Sequence, residues 1–313
     1  MQNIQFVKHK DIDKMKWDVR VAIASNGLIY ACSYYLDVMS ENWDALIMDD
    51  YEAVMPLTWN KKFGISYLRQ PPFTQQLGIF GSANFDKKLT GQFIKKALER
   101  YPFIDINLNY ANDCIAHSTK KCNLVLSLER HFDLLKTSFR KDLVSKATVA
   151  HLIYESSEDF EEAIRIFKQA YSEKLPNLEK YHYENLVKLC ILLKNKNQIF
   201  VRKVNSPEGK LLAMAIFFKD QKRIYYILSS LLPAGRKYDA NAFLLYEVIK
   251  EFSGQNLIFD FEGSDIPSIK FFFNKFNPAE ETYCSIEINT LPFWKKWIKS
   301  GYDHFKRSRL GRD

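Results

Sequence analysis

Two carboxylates separated by one aromatic residue stand at the end of a β-like run, in the segment Asp260-Phe261-Glu262-Gly263-Ser264. Alternate residues of a strand point to the same face, so an extended backbone would place Asp260 and Glu262 about 6.5 to 7 Å apart along the chain. Glu262 is then a candidate base that removes the proton of an attacking amine, with Asp260 beside it. Carboxylates at strand ends also accept loop hydrogen bonds or pair with cations, so a structural role stays open for both.

Groups able to bind a phosphorylated molecule precede this pair. Gly235, Arg236 and Lys237 come just before a predicted helix over residues 240–252, whose free first-turn amides favour anions. Tyr226, on the strand that leads to this loop, could give a proton to a leaving group. Exposed cations before a helix are common and a strand tyrosine is often a buried core residue, so each group has a structural alternative.

Other chemistries have little support in the sequence. No histidine pair has metal-ligand spacing, and the G-x-G-x-x-G and P-loop patterns are absent, so no metal, dinucleotide or nucleoside triphosphate site is predicted. The five cysteines, at positions 32, 114, 122, 190 and 284, form no C-x-x-C pair. They predict no disulfide framework, and the expected compartment is the reducing cytoplasm.

The elements that position these groups occur twice along the chain. Three apolar runs, a helical stretch and a further strand are predicted first at residues 45–48, 53–59, 65–68, 87–99 and 103–108. The same order returns at residues 199–204, 211–218, 224–228, 240–252 and 257–261. Connections this short join antiparallel strands, and a repeat at half the chain length predicts a duplicated domain.

The length of 313 residues also favours two domains. We expect an α/β (α+β) fold with domains at residues 1–128 and 129–313, each with a mixed, mainly antiparallel sheet flanked by helices. The strand of the first copy that corresponds to the carboxylate pair reads Asp105-Ile106-Asn107. Because an amide cannot take up a proton, the second copy is the predicted catalytic one.

The net charge of +8 is concentrated at the C-terminus, where residues 291–313 hold seven Lys and Arg against two Asp. The rest of the chain is nearly neutral and does not itself require a nucleic-acid partner. Residues 291–305 could form a helix with an apolar stripe that contacts anionic lipid, or one that packs on the second domain. The charged N-terminus and the lack of a long apolar run predict neither a signal peptide nor a membrane span.

Several motifs in a fixed order resemble bacterial FemAB-like proteins of the GNAT acyltransferase superfamily. In the first half they are Trp43-Asp44-Ala45-Leu46, Ala53-Val54-Met55-Pro56-Leu57 and Gln70-Pro71-Pro72-Phe73-Thr74-Gln75-Gln76-Leu77-Gly78. In the second half they are Ser138-Phe139-Arg140-Lys141, Asn241-Ala242-Phe243-Leu244-Leu245-Tyr246, Phe259-Asp260-Phe261-Glu262-Gly263-Ser264 and Lys270-Phe271-Phe272. The resemblance covers residues 17–297, or nearly the whole chain.

The resemblance implies two tandem GNAT-like domains and an N-acyltransferase whose acceptor is an amine on a cell-envelope or small-molecule precursor. The donor would be a substrate, acyl-CoA or aminoacyl-tRNA, with no tightly bound cofactor. Its implied binding residues are Gly235, Arg236, Lys237 and Asn241. Those implied for the acceptor are Gln70, Phe73, Gln76, Arg140, Lys141 and Lys270. A proline-rich loop held by its own amides and a solvated helix face are the alternatives for these last positions.

One segment departs from the GNAT pattern. Acyl-CoA-binding members carry a glycine-rich turn whose amides hold the pyrophosphate, whereas residues 232–238 offer a single glycine, Gly235. Arg236 and Lys237 could still hold a phosphate by charge. The departure also permits a non-catalytic GNAT-fold protein that recognises a glycan or peptide precursor or a membrane assembly.

Overall fold

The computed structural model of the chain describes residues 3–175, 177–263 and 265–291. Its helices are α1 (Lys14–Ile23), α2 (Ser33–Met39), α3 (Lys87–Leu98), α4 (Phe132–Leu135), α5 (Lys141–Val149), α6 (Phe160–Tyr171), α7 (Lys180–Asn195), α8 (Pro233–Lys237), α9 (Ala240–Phe252) and α10 (Pro267–Phe273). Its strands are β1 (Ile4–Val7), β2 (Trp43–Met48), β3 (Ala53–Lys62), β4 (Ile65–Arg69), β5 (Phe80–Gly81), β6 (Phe103–Leu108), β7 (Ser118–Ser127), β8 (Ile153–Ser157), β9 (Ile199–Asn205), β10 (Leu211–Lys219), β11 (Arg223–Leu231), β12 (Ile258–Asp260) and β13 (Ala279–Asn289).

The strands of the sheet are arranged symmetrically about its centre, so that each strand of the first copy has an equivalent at the same distance from the other end. Their order is β1-β2-β3-β4-β6-β13-β7-β12-β11-β10-β9-β8, with β5 paired to β3. β4 and β6 pair in parallel, as do β11 and β12, and the other pairs are antiparallel. The duplicated α/β fold with a mainly antiparallel sheet is thereby confirmed. We call β1–β6 with α1–α3 the N-terminal lobe, and β8–β12 with α5–α10 the C-terminal lobe.

The two central strands are exchanged between the lobes. β7 follows the N-terminal lobe in the chain but pairs with β12 of the C-terminal lobe. β13 follows the C-terminal lobe but pairs with β6. The two exchanged strands also pair with each other over eight residue pairs, from Ala279↔Val125 to Ile286↔Ser118. The boundary at residue 128 stays a prediction, since the sheet runs through it.

Helices cover both faces of the sheet. One hydrophobic cluster joins α1 and α2 to α6 and α7, and the equivalent helices α2 and α7 pack on each other. A second cluster lies under α5, α9 and α10, and a third under α3. Burial on both faces explains why β10 is a nearly continuous apolar run. Aspartate N-caps begin several helices, as at Asp86, whose side chain accepts from Leu89 N–H.

Some predicted elements differ in their bounds. The helix predicted over residues 133–150 is broken into α4 and α5, with Arg140 extended between them. Residues 233–237, predicted as a loop, form the short helix α8. Asp239 stands at the predicted N-cap of α9, but it has a left-handed φ of 49° and its side chain makes no capping bond. Instead it pairs with Lys146 at 2.5 Å. The predicted helix at residues 291–305 lies beyond the described residues from position 292 on.

The cysteine spacing predicted no disulfide framework, but the structure contains one disulfide among the described residues. Cys114, in the loop before β7, forms a disulfide with Cys284 of β13, with the Cα atoms 5.6 Å apart. The two residues are 170 positions apart in sequence, so no local spacing could indicate the pair. Cys32, Cys122 and Cys190 carry free thiols. No helix within the described ranges is long and apolar enough to cross a membrane.

Candidate active site

The carboxylate pair at the end of β12 does not have the predicted strand geometry. β12 ends at Asp260, and Glu262 has a left-handed φ of 55°. The backbone N–H of Glu262 donates to Oδ1 of Asp260 at 3.0 Å, a local bond that turns the chain out of the strand. The two side chains therefore do not share one face of an extended strand, and that expectation is corrected.

Glu262 has the properties of a proton-transfer group. Its Oε1 is buried and has no hydrogen-bond partner among the described residues. Burial, and then the negative charge of Glu281, raise the pKa of Glu262 to about 8. A carboxylate with this pKa can both take up and release a proton near neutral pH, as a general acid or base must.

Both oxygens of the Asp260 carboxylate bind other groups of the protein. It is 1% exposed, and its Oδ2 pairs with Nη1 of Arg223 at 2.8 Å. Its Oδ1 accepts from Nδ2 of Asn123 at 2.9 Å as well as from the Glu262 N–H. No side of this carboxylate is left for a substrate, so the structural alternative describes Asp260 better than the predicted catalytic role.

Arg223 joins two carboxylates from different strands. Its guanidinium is 3% exposed and also donates from Nη1 and Nη2 to the oxygens of Glu281, at 2.9 and 2.6 Å. Asn123 pairs with Glu281 in the sheet register and donates to Asp260, which pairs with Arg223, so a polar row of side chains crosses β13, β7, β12 and β11. We call Arg223, Asp260 and Glu281 the ion triad.

Sequence reasoning missed Arg223, Glu281 and Asn123. The available signal was polarity inside apolar strands, since Arg223 begins the run Arg-Ile-Tyr-Tyr-Ile and Asn123 precedes Leu-Val-Leu. Buried polar groups need partners, so each position predicted a partner. Which residues those partners are depends on how the strands are arranged, and the sequence alone did not show this.

The N-terminal lobe also contributes to the site. Nε2 of Gln75, in the proline-rich loop, lies 3.3 Å from Oδ1 of Asn123. The same oxygen accepts from the N–H of Gly263, which directly follows Glu262. The ring of Tyr110 lies 4.9 Å from the Arg223 guanidinium. The Glu262 loop is thus held from both lobes, at the centre of the sheet.

The predicted acceptor residues of the proline-rich loop have different surroundings. Gln70 Oε1 accepts from Asn107 N–H at 3.0 Å, and its Nε2 donates to Thr74 O at 3.0 Å. Gln76 is 1% exposed, accepts from Tyr110 N–H and donates to Gln75 Oε1. A loop tied down by its own amides therefore describes Gln70 and Gln76.

Gln70 nevertheless lines a cleft between the lobes. The cleft has a volume of about 330 Å³. One wall contains Gln70, Pro71, Pro72 and Arg69, and the opposite wall contains Tyr181, His182 and Asn185 of α7. Burial lowers the pKa of His182, whose Nδ1 accepts from Glu179 N–H at 2.9 Å. Phe73 does not line this cleft, and its ring packs against Tyr183 with centroids 6.0 Å apart.

The strands β11 and β12 separate next to Glu262. They pair only from Arg223↔Ile258 to Tyr225↔Asp260, after which β11 continues to Leu231 with β10 as its remaining partner among the described strands. Tyr226 follows at once; it is 6% exposed and donates from its hydroxyl to Asn241 Oδ1 at 2.8 Å. Burial raises the pKa of Tyr226 far above its ordinary value, which fits the core alternative better than a proton donor.

The predicted phosphate group is carried by α8. Arg236 and Lys237 are exposed on this helix, while Gly235 is buried against β10. A Cβ at Gly235 would lie 2.2 Å from Leu212 O, so the glycine allows the helix to pack on the strand. Because the segment is helical, it does not form a glycine-rich turn of amides around a pyrophosphate.

The remaining predicted cations lie around α10. Arg140 pairs with Asp142 at 2.9 Å and lies over the Phe271 ring, and Lys141 is exposed. Lys270 pairs with Glu280 at 2.5 Å, and its Nζ lies 3.5 Å from the Cys122 thiol, next to Asn123 of the polar row. Of the three, Lys270 has the nearest connection to the Glu262 loop. In the part of the chain that the structure describes, no cluster of three His, Cys, Asp or Glu could hold a metal.

Comparisons with known proteins relate this geometry to a family. Residues 137–265 match a family model described as "Acetyltransferase (GNAT) domain". The crystal structure of FemX is similar with a TM-score of 0.62 and 12% identity, over 93% of this chain and 99% of FemX. A conserved protein of unknown function from Bacteroides thetaiotaomicron is similar with a TM-score of 0.56 and 11% identity, over 92% of this chain and 100% of that one.

A third solved structure is the C-terminal domain of a candidate lysylphosphatidylglycerol synthetase from Agrobacterium fabrum. Its TM-score is 0.50 with 12% identity, over 88% of this chain and 92% of that domain. Identities this low establish a common fold and leave the substrates open. No curated protein matches the chain.

Proposed function

Because this chain is a FemAB-like GNAT protein by its family match and its fold, we propose that it is an N-acyltransferase that moves an acyl or aminoacyl group to an amine. The observation that carries the proposal is Glu262, whose Oε1 is buried without a partner among the described residues and whose pKa is raised. It lies beside the separation of β11 and β12, within the segment that matches the GNAT model.

In the proposed reaction Glu262 takes a proton from the acceptor amine as the nitrogen attacks the donor carbonyl. A C–N bond forms, the carbonyl carbon becomes tetrahedral, and the bond to the donor's thiolate or ribose oxygen then breaks. The proton held by Glu262, or one from solvent, neutralises the leaving group. Positioning of the two reactants and a base of matched pKa are the contributions required of the protein.

The donor is proposed to be acyl-CoA or aminoacyl-tRNA, with its phosphates near Arg236 and Lys237 and its reacting end near Asn241. The acceptor is proposed to be a cell-envelope or small-molecule precursor that enters by the cleft beside Gln70. One protein of similar fold is named as a synthetase of lysylphosphatidylglycerol, which is an aminoacylated lipid. This name supports an aminoacyl donor and a cell-envelope acceptor as candidates. A cytoplasmic location, and lipid contact by the basic C-terminal residues, belong to the same proposal.

The test is a mass-spectrometric transfer assay on the purified chain, with panels of acyl-CoA thioesters, charged tRNA and amine acceptors. Glu262→Gln keeps the shape of the side chain and removes its basicity, so activity should fall by at least about a hundredfold. Glu129→Gln, at an exposed position, is the matched control and should retain activity. Full activity in Glu262→Gln would remove the assigned role.

A second candidate function is a GNAT-fold binding protein without turnover, which recognises a glycan or peptide precursor or a membrane assembly. It is favoured by α8, which replaces the glycine-rich turn with a helix. Thermal-shift measurements with the same donors separate the two candidates, because a donor that binds the folded state raises Tm. A shift from a glycan or peptide precursor with none from any donor would favour the binding protein.

A further inference from the structure

The ion triad is not electrically balanced. One guanidinium, that of Arg223, faces the two carboxylates Asp260 and Glu281 at 2.8 and 2.6 Å. The two negative charges exceed the one positive charge, so the triad carries one surplus negative charge inside the sheet. In a medium of low polarity such a charge acts strongly on any ionisable neighbour.

The two carboxylates of the triad differ in their surroundings. Asp260 also accepts hydrogen bonds from Asn123 and from the backbone N–H of Glu262, which spread its charge over several donors. For Glu281, the bonds described are those from Arg223, and its side chain is 15% exposed. Asp260 thus holds the Glu262 backbone in place, and Glu281 supplies the less compensated charge.

Among the described residues, the charge that acts on Glu262 is that of Glu281, and no cation offsets it. Burial, and then the nearby carboxylates of Asp265, Glu262 and Asp260, raise the pKa of Tyr283. The triad arginine is saturated by its two carboxylates. On the elements packed around the Glu262 loop, the charged and titratable side chains include Asp260 on β12, Arg223 on β11, Lys121 and Cys122 on β7, Glu280, Glu281 and Tyr283 on β13, Asp265 after the loop, and Lys270 on α10. Lys270 pairs with Glu280 and Lys121 with Asp265.

We propose that Glu281 is a tuning residue for Glu262, whose surplus charge in the ion triad adds to the effect of burial and strengthens the Glu262 carboxylate as a base. The assignment rests on the proposed function for its catalytic meaning. A carboxylate that binds its proton at pH 8 instead of 4.5 holds it roughly three orders of magnitude more tightly. Such a base is matched to an amine in a way that an ordinary carboxylate is not.

The fold explains how this charge reaches the site. Glu281 belongs to β13, the exchanged strand that comes from the end of the described chain, and it pairs with Asn123 across the sheet. β13 lies between β6 and β7, and Asn123, the register partner of Glu281, accepts from the N–H of Gly263 next to Glu262. The effect of Glu281 on Glu262 is therefore electrostatic, and no contact between Glu281 and the substrate is required.

The test is a direct titration of Glu262 by carbon NMR on protein with labelled glutamate carboxyl groups, the signal being assigned by its loss in Glu262→Gln. Glu281→Gln keeps an oxygen for Arg223 and removes the charge, and should lower the midpoint by about one pH unit. Glu280→Gln, the adjacent position that pairs with Lys270, should leave the midpoint unchanged. An unchanged midpoint in Glu281→Gln, or an equal change in both variants, overturns the assignment.

A second measurement separates this inference from the proposed function. In the transfer assay, the acid limb of the kcat/KM profile should move to lower pH in Glu281→Gln by the shift that NMR finds. If the NMR midpoint moves but the kinetic limb does not, Glu281 tunes Glu262 and Glu262 is not the base. If Glu281→Gln does not fold, a wild-type midpoint near pH 4.5 would still overturn the inference, because Glu262 would then have no shift for Glu281 to cause.

Discussion

Glu262 donates its backbone N–H to Asp260 Oδ1 at 3.0 Å, while its own Oε1 stays buried without a partner among the described residues. One carboxylate thus fixes the backbone from which the other is presented. Asp260 pairs with Arg223, whereas Glu262 has no cation beside it among the described residues. Their environments differ enough to give two residues of similar chemistry a structural role and a proton-transfer role.

The raised pKa of Glu262 predicts how stability depends on pH. Below about pH 4.5 the side chain is neutral in both states, so its full contribution is present. Between about 4.5 and 8 the unfolded chain loses this proton while the folded protein keeps it, so stability falls as pH rises, until the loss is complete above about 8. Glu262→Gln should abolish this slope and be more stable than wild type at pH 9, on the order of 2 kcal/mol.

Urea unfolding at pH 4 and pH 9 measures this difference. Glu129→Gln, which is exposed, serves as the control and should follow the wild type at both pH values. A Glu262→Gln protein that is no more stable than wild type at pH 9 would contradict the burial of an uncompensated carboxylate.

The ion triad predicts a large cost for removing its cation. Arg223→Met leaves Asp260 and Glu281 buried without their partner, and the free energy of unfolding should fall by about 3 to 5 kcal/mol. Arg165, which pairs with Glu162 on the exposed face of α6, provides the contrast. Arg165→Met should change stability by less than about 1 kcal/mol. Similar small losses in both variants would mean that the triad contributes little to folding.

The Cys114–Cys284 disulfide predicts a redox dependence of stability. The bond closes a loop across 170 residues of sequence, and breaking it should lower the free energy of unfolding by about 2 to 4 kcal/mol. Thermal melts with and without dithiothreitol measure the effect. In Cys114→Ser the reductant should have no further influence, which separates this bond from Cys32, Cys122 and Cys190.

Two glycines predict opposite responses to the same substitution. Gly235→Ala would place a Cβ 2.2 Å from Leu212 O, so α8 must move away from β10 and stability should fall by about 1 to 3 kcal/mol. Gly91 lies inside α3, where an added Cβ meets nothing within 4 Å. Gly91→Ala should raise stability by about 0.5 to 1 kcal/mol through helix propensity. Denaturant midpoints of the two variants check both signs.

Much of the fold could be predicted because its signals are local and repeated. The meander strands, the helix ending at Phe252 and the strand ending at Asp260 follow from apolar runs and short connections. Glu262 was predicted as a site residue from a local signal too, namely a carboxyl group at the end of a predicted strand. Local signals failed at α8, because a proline followed by Ala-Gly-Arg-Lys is compatible with both a helix start and a loop, and packing on β10 selects the helix.

The rest of the site depends on pairs far apart in the chain. Arg223 and Glu281 are 58 residues apart, and Asn123 and Asp260 are 137 apart. Their meeting requires β13 to lie beside β7 and β7 beside β12, an arrangement that no connection length indicates. The left-handed φ of Glu262 was not predicted for a related reason: the N–H of Glu262 bonds to Asp260, whose side chain also bonds to Arg223 and Asn123 from other strands.

The exchange of β7 and β13 also affects how the chain is made. During synthesis the N-terminal lobe leaves the ribosome long before residues 279–289 of β13. The edge of β6 that pairs with β13 therefore stays without this partner until the entire second lobe has been translated. Contacts of such long sequence separation form slowly. Neither half can complete its architecture alone, and the native topology is reached only once both have emerged.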